Sequence, residues 1–373
     1  MNVVYRRQFA VLIFFAGVVF KIAFLPAYIT EGIQNDNLLL ILSYLIFDLA
    51  LLALVFHIVK TRAIESLPKN FKSGIMLILF VFFAVKFAVM AGEAAFCVAD
   101  NLFEESYLLF IIASICGLTG YIAVKGSGVL ARLGEIFIVF TVICLVLNLI
   151  TAESEVDFRY NFPLFRSDAS EFFYTFDKFY MFTGDFLPLI VFTFKESEKK
   201  SKLPFIFAAS AVLTVVGHYV FLNAIFKSGA AAADNLIVNL GAFNVGNVLI
   251  GKADALSLGV WFIMAAVNLS LTLLAATEVS SHFLRERRLG AAIAAAFAVF
   301  MCVFVFKNAR ALYEFTTGAV RYFMLTAEIL VPVSVLAAYK IDKKNKKNGD
   351  ENREFRMKNK GFKVYKIAKR GKI

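Results

Sequence analysis

Residues 182–188 read Phe-Thr-Gly-Asp-Phe-Leu-Pro and lie in an apolar block near residues 172–194. Such a block can cross the hydrocarbon core of a bilayer as a helix, which takes about 20 residues. Gly184, however, permits backbone conformations that other residues avoid, and Pro188 removes one helical hydrogen-bond donor. The stretch therefore predicts a membrane-crossing helix that is broken near its middle, with a simple kink as the alternative.

The first apolar block, near residues 9–29, has the same two features. Gly17 lies near its middle, and Pro26 follows on the C-terminal side. Two Gly- and Pro-interrupted spans at corresponding positions of two halves are typical of transporter folds built from inverted repeats. We expect both helices to be broken, at Gly17 and at Gly184, beside a binding site near the midplane.

The composition is typical of a membrane protein. The chain is 60% hydrophobic and 18% charged, whereas soluble proteins are about half apolar and a quarter charged. We expect one polytopic transmembrane domain over residues 1–339 and a basic tail over residues 340–373. About ten spans are predicted, near residues 9–29, 37–59, 73–96, 106–125, 129–151, 172–194, 203–226, 255–280, 289–306 and 319–339.

The connections between these spans alternate in charge. One side carries Arg6, Arg7, Lys60, Arg62, Lys69, Lys72, Lys125, Arg132, Lys195, Lys199, Lys200, Lys202, Arg285, Arg287, Arg288 and the tail. The other side carries Glu31, Asp36, Asp100, Glu104, Glu105, Glu153, Glu155 and Asp157. The positive-inside rule places the first side, with both termini, in the cytoplasm. Ten spans divide into five plus five, and an odd number per half inverts the second half, so the predicted fold is an all-α inverted repeat.

Several other classes of protein are not indicated. The sequence has no P-loop, HExxH or nucleophile-elbow motif, so we expect no enzyme and no cofactor. Its cysteines are Cys97, Cys116, Cys144 and Cys302, which lie in or beside apolar blocks without CxxC pairing. We expect buried thiols, not a disulfide or a metal site. The net charge of +11 is concentrated in the tail, which indicates contact with anionic lipid and not with nucleic acid.

Charged side chains inside the predicted spans are the site candidates, because an unpaired charge in a bilayer is costly. They are Lys21, Asp48, Lys86, Glu93, Glu135, Asp177, Lys178, Asp185, His218, Glu278 and Glu328. Lys21 and Asp185 lie beside Gly17 and Gly184. With the backbone of the two broken helices, they suit the carboxylate and ammonium groups of an amino acid. The alternative is that Lys21 and Asp185 neutralise each other and hold the two spans together.

Three further expectations concern other spans. Lys86 and Glu93 are seven residues apart, hence on one face of the third span, and we interpret them as a charge pair that could gate the interior. Ser270 and Thr272 lie in the eighth span, where small polar residues are expected to pack one helix against another. Glu278 and Glu328 are expected near helix ends, where long side chains reach water.

Two parts of the sequence resemble the spore germination permease family. Its opening elements are Gly17, Phe24-Leu25-Pro26, Gly32 and Asp36. The more specific part is Asp254-Ala255-Leu256, which leads into the eighth span with Trp261. The basic cluster after the sixth span and the Lys-rich tail after the tenth are also similar, so the resemblance extends over the whole chain.

The resemblance implies the five-plus-five fold of amino acid–polyamine–organocation transporters. It also implies a role as the membrane-embedded B subunit of a germinant receptor in the inner membrane of the spore. Such subunits bind small germinants such as amino acids and work with an A-type subunit and a lipoprotein C-type subunit. A proton- or sodium-coupled amino-acid permease is the alternative. The resemblance in fold also makes Ser270 and Thr272 candidates for a cation site, because hydroxyls in this span complete such a site in sodium-coupled members of the fold. Lys21 and Lys86 depart from the family pattern, as does Asp185, because family members often carry a Glu shortly after the glycine.

Overall fold

A computed structural model describes residues 2–30, 36–102, 107–151, 157–161, 164–165, 167–194, 202–226 and 253–344. Most of the predicted tail, residues 345–373, and the basic cluster at 195–200 lie outside the described residues. The helices are α1 (Arg6–Ala23), α2 (Leu25–Thr30), α3 (Asn37–Thr61), α4 (Lys69–Leu102), α5 (Leu108–Lys125), α6 (Ser127–Thr151), α7 (Ala169–Lys178), α8 (Leu203–Phe226), α9 (Ala253–Ser280), α10 (Arg287–Phe300), α11 (Ala309–Thr317) and α12 (Val320–Lys344).

Eight of the described helices are long and apolar enough to cross a membrane: α3, α4, α5, α6, α8, α9, α10 with the π-helical turn Met301–Val305, and α12. The predicted all-α membrane fold is therefore confirmed. The two other predicted spans are the irregular ones. The first has 18 residues in α1, which include Arg6, Arg7 and Lys21. The sixth is divided into short pieces, so the count of ten stays a prediction.

The sixth span, here called the broken segment (residues 169–194), is interrupted at Gly184 as predicted. It begins with α7 and continues through the 3₁₀ turn Tyr180–Phe182. At Gly184 the backbone has φ +76°, which an L side chain rarely adopts. A second 3₁₀ turn, Leu187–Val191, contains Pro188 at its start and leads into strand β2 (Phe192–Phe194).

The expected break at Gly17 is wrong, because α1 runs through that position without interruption. The helix is instead interrupted at Phe24, between α1 and α2. Pro26 explains this position, since it lacks the N–H that would bond the carbonyl of Ile22. Gly17 has a packing role: a Cβ atom there would lie 2.9 Å from Cζ of Phe186. Its lack of a side chain lets the broken segment approach α1 closely.

The N-terminal end of the first segment and the C-terminal end of the broken segment meet in a small parallel sheet. Strand β1 (Asn2–Val4) pairs with β2 in the register Asn2 with Phe192 and Val4 with Phe194. The ladder gives partners to backbone groups that the helices leave free. The first and sixth segments are thus joined at this end as well as at their centres.

Helix α1 lies at the centre of the bundle. Its residues 9–23 are all buried, which is typical of a helix that is apolar around its whole circumference. It packs mainly against α8, and also against α6 and α9. On α9, the ring of Trp261 is fully buried and packs edge-on against Phe24 at 5.5 Å between centroids. The tryptophan of the family-like element therefore packs at the interruption of the first segment.

Candidate functional site

Five charged side chains converge at the broken segment, and we name them the charge cluster: Lys21, Asp48, Lys86, Asp185 and Glu328. Lys21 Nζ, from α1, lies 2.5 Å from Asp185 Oδ2 and 2.7 Å from Asp48 Oδ2 on α3. Lys86 Nζ, from α4, lies 3.1 Å from Asp185 Oδ1. The side chains of these four residues are at most 4% exposed. These four residues thus join α1, α3, α4 and the broken segment inside the protein.

The break at Gly184 explains the position of Lys86. A broken helix leaves carbonyl groups without the N–H partners of the next turn. Lys86 Nζ donates to two of these, the carbonyl oxygens of Met181 at 2.5 Å and Thr183 at 2.7 Å. The break also leaves an N–H group free, that of Gly184. Asp48 Oδ1 accepts a hydrogen bond from this N–H at 3.1 Å. Both charges therefore stabilise the irregular backbone directly.

Glu328, on α12, is the fifth member of the charge cluster and contacts the broken segment at Thr183. Its side chain is fully buried, and its Oε2 lies 2.9 Å from Thr183 Oγ1. A Cβ atom on Gly184 would lie 1.9 Å from Glu328 Oε1, so the glycine is required by space as well as by its backbone angle. Glu328 consequently packs on the one residue that breaks the segment.

The electrostatics of the cluster favour a paired arrangement. An isolated charge moved into a low-dielectric interior costs several kcal/mol, and paired charges recover this only with good geometry and further hydrogen bonds. Here both oxygens of Asp185 face an ammonium group, while Asp48 Oδ1 accepts from the N–H of Gly184 and Asp48 Oδ2 lies within ion-pair distance of Lys21. Three carboxylates meet two ammonium groups, so Glu328 is the member without an ammonium partner within ion-pair distance among the described residues.

The structure brings together three of the four residues that the sequence predicts for ligand binding. Lys21, Gly184 and Asp185 meet in the charge cluster. Gly17 contacts the cluster through Phe186, the residue after Asp185, as described above. The sequence left open whether Lys21 and Asp185 pair with each other, and in this structure they do. Whether they bind a ligand stays a prediction.

The predicted pair of Lys86 with Glu93 is not formed. The two side chains share a face of α4, but seven residues of helix separate them by about 10 Å along the axis. Lys86 bonds the broken segment, whereas Glu93 accepts from the hydroxyl of Tyr28 on α2. Tyr28 stacks on Tyr313 of α11 at 5.2 Å between ring centroids. Glu93 thus belongs to a second, aromatic group, between α2 and α11.

Ser270 and Thr272 are both buried on α9. Thr272 Oγ1 donates to the carbonyl of Asn268 in the preceding turn at 3.2 Å, while Ser270 Oγ has no hydrogen-bond partner among the residues that the structure describes. Two residues apart on a helix, they point about 200° away from each other. One ion therefore cannot easily be coordinated by both hydroxyls. The cation site stays a prediction, and Ser270 is the better candidate because the hydroxyl of Thr272 already donates within its own helix.

Sequence reasoning missed two members of the cluster. The expectation that Glu328 reaches water is wrong, because α12 continues to Lys344 and leaves Glu328 in its first half, away from either end. Asp48 is among the predicted charges inside the spans, but the sequence assigns no partner to it. Its position was the available signal, since it is the only acidic residue within the third helix, α3.

Similarity to solved structures defines the class of protein. MhsT in complex with L-phenylalanine matches with a TM-score of 0.59 and 13% identity, covering 91% of this chain and 98% of that chain. Mhp1, a nucleobase-cation-symport-1 family transporter in a closed conformation with bromovinylhydantoin bound, matches with a TM-score of 0.50 and 12% identity, covering 91% and 93%. At these identities the likeness shows the fold, which is that of membrane transporters.

The family follows from the sequence itself. Residues 4–312 match the spore permease family of spore germination proteins. No curated protein matches the sequence significantly. Because the matched region spans most of the chain, this protein belongs to the spore germination protein family. It is an integral membrane protein with a transporter-like fold, as the resemblance in its motifs indicated.

Proposed function

We propose that this protein is the membrane-embedded subunit of a spore germinant receptor and that the charge cluster is its ligand site. The observation that carries the proposal is the buried contact between Lys21 and Asp185 at the break in the sixth segment. Transporter folds bind their ligands where interrupted helices meet, because the backbone there has unpaired polar groups. The germinant is a small molecule, and an amino acid fits best.

An α-amino acid carries one carboxylate and one ammonium group, which are the two charges of the Lys21–Asp185 contact. Its carboxylate can replace Asp185 at Lys21, while its ammonium group replaces Lys21 at Asp185. Such an exchange leaves no charge unpaired, which matters in a site from which water is excluded. The contact would then hold the site closed until a ligand with both charges opens it.

Ligand binding would act on the rest of the receptor through the broken segment. Asp185 and Gly184 lie between two short 3₁₀ turns, which have few regular hydrogen bonds to resist a shift. A ligand that binds one arrangement of this segment more tightly shifts the population towards it. We propose that A-type and C-type receptor subunits detect this shift, in the inner membrane of the spore, with both termini of this chain in the cytoplasm.

A coupled amino-acid permease is the second candidate, and the transporter fold of the solved neighbours favours it. The same site would then alternate between the two sides of the membrane. Uptake of a radiolabelled amino acid by the protein alone in liposomes would support the permease. Co-purification with A-type and C-type subunits, without uptake, would support the receptor.

The ligand class is tested on the purified protein in lipid nanodiscs. Free amino acids should raise its melting temperature, whereas the N-acetyl and methyl-ester derivatives of the same amino acid should not, because each lacks one charge. Variants in which Asp185 is replaced by Asn should lose the response to the free amino acid. Equal responses to an amino acid and to both derivatives would contradict recognition by Lys21 and Asp185.

A further inference from the structure

A groove lies between the C-terminal ends of α3 and α12, beyond the positions of Asp48 and Glu328 on the same two helices. It encloses about 400 Å³, and its lining includes Leu54 and His57 from α3 and Leu336, Tyr339, Lys340 and Lys343 from α12. Both helices are among those long and apolar enough to cross a membrane. The groove therefore lies where an apolar helix surface gives way to a polar one.

The helical spacing shows that the groove is formed by two facing stripes. The lining residues of α3 recur at 54, 57 and 61, and those of α12 at 336, 339, 340 and 343. Steps of three, four and seven residues place side chains on one face of a helix. The residues nearer the helix centres are leucines, and those nearer the ends are polar or basic. Each stripe thus changes from apolar to polar in the same direction.

This gradient matches the shape of a phospholipid. Leucine side chains can contact an acyl chain, and the amphipathic ring of Tyr339 suits the level of the headgroup. Lys340 and Lys343 form a positive rim, where lysine side chains can extend to reach a phosphate. Basic pockets between transmembrane helices are known to bind anionic lipid headgroups.

The charge of residues 345–373 argues against this part of the chain as the occupant of the groove. Residues 345–373, which follow α12, contain eleven Lys and Arg residues against three Asp and Glu residues. A segment of that charge is repelled by the lysines of the rim. An anionic occupant is attracted by both the rim and the tail.

We propose that the groove between α3 and α12 is a binding site for one anionic phospholipid of the phosphatidylglycerol type. Its phosphate contacts Lys340 and Lys343, and one acyl chain lies against Leu54 and Leu336. None of the lining residues belongs to the charge cluster, and the lipid measurement does not depend on a germinant, so this proposal is tested separately from the proposed function.

The test is a lipid titration of the full-length protein in detergent, followed by native mass spectrometry. Phosphatidylglycerol should bind with one high-affinity step, and phosphatidylcholine should not. Each lysine contributes about 1 kcal/mol to such contacts, which is about fivefold in affinity. The double variant Lys340→Gln/Lys343→Gln should therefore bind phosphatidylglycerol about thirtyfold more weakly. The matched control is Lys125→Gln/Lys202→Gln, which removes the same charge from two exposed lysines outside the groove and should bind as the wild type does.

Two further measurements separate a lipid from a simple phosphate. Leu54→Trp fills the apolar part of the groove without changing charge, and it should also weaken the high-affinity step. Water-soluble glycerol phosphate should bind far more weakly than phosphatidylglycerol, since it lacks the acyl chain. Unchanged affinity in the lysine double variant, equal binding of phosphatidylcholine, or equal binding of glycerol phosphate would each overturn the proposal.

Discussion

Lys21 Nζ lies 2.5 Å from Asp185 Oδ2, and this contact joins the two segments whose helices are irregular. Each of the two residues also has a second ionic partner, Asp48 for Lys21 and Lys86 for Asp185. The four side chains therefore form a continuous chain of alternating charge from α3 to α4. On the proposal that the cluster is the ligand site, an entering ligand would have to exchange partners with these side chains, so we expect charged solutes to bind there and apolar ones not to bind.

Removal of either central charge should destabilise the protein. Breaking a buried pair costs about 3–5 kcal/mol, because the remaining charge loses its partner. We expect Lys21→Met and Asp185→Asn each to lower the melting temperature in detergent. A double variant that removes both charges should recover part of the loss, and the double-mutant cycle measures the coupling.

The same variants distinguish the two roles of the pair. If Lys21 and Asp185 bind the germinant, spores that carry the double variant should fail to respond to it although the protein is present. The germination rate and the protein level, measured together in complemented spores, decide this. A fully active double variant would show that the pair is only structural.

Gly184→Ala should be strongly destabilising. The substituted residue would need a left-handed backbone angle, and its Cβ would lie 1.9 Å from Glu328 Oε1. Strain and overpacking together cost about 2–5 kcal/mol. Gly217→Ala on α8 is the matched control, since nothing lies within 4 Å of its Cβ position. Similar melting temperatures for the two variants would contradict the role given to Gly184.

The predicted topology can be tested by cysteine labelling of intact cells. With both termini in the cytoplasm, Lys344→Cys should be protected from an impermeant thiol reagent, and Phe165→Cys should be labelled. Phe165 lies in a connection predicted outside, and its side chain is 82% exposed. The four native cysteines are all buried, so the background should be low. Labelling of Lys344→Cys from outside would contradict the orientation.

Most of the fold could be predicted from the sequence because the bilayer limits the choices. Long apolar blocks form helices, since no other local structure satisfies the backbone in lipid. The break at Gly184 could be predicted as well, but the continuity of α1 through Gly17 could not. Both positions are a glycine in an apolar block, and only the neighbours differ: Phe186 packs on Gly17, whereas Glu328 packs on Gly184. Those neighbours come from distant parts of the chain.

The site could be predicted only in part, for a similar reason. Lys21 and Asp185 were conspicuous because each is a charge beside a glycine within an apolar span. Glu328 has no such neighbour in the sequence, and its distance from a helix end depends on where α12 stops. Lys86 is an unusual charge within its span, but besides Asp185 its partners are the carbonyls of Met181 and Thr183. A contact with a backbone carbonyl cannot be predicted from the pattern of side chains, because every residue has a carbonyl group.

Glu328→Gln should be tolerated far better than Asp185→Asn. Glu328 is the carboxylate in excess of the two ammonium groups, so its replacement by Gln leaves equal numbers of opposite charges in the cluster. The hydroxyl of Thr183 lies 2.8 Å from the carbonyl oxygen of Tyr180 and 2.9 Å from Glu328 Oε2, and it has only one proton to donate. The amide of Gln can itself donate to Thr183, which allows both bonds to form at once.

We therefore expect Glu328→Gln to keep a melting temperature within a few degrees of the wild type, and Glu328→Ala to lower it. The alanine variant removes the contact with Thr183 and leaves a cavity beside Gly184, and deletion of buried atoms of this size costs about 2–5 kcal/mol. Melting of the three variants in the same detergent provides the comparison. If Glu328→Gln were as damaging as Asp185→Asn, Glu328 would need its charge, and a cationic partner for it would have to be sought.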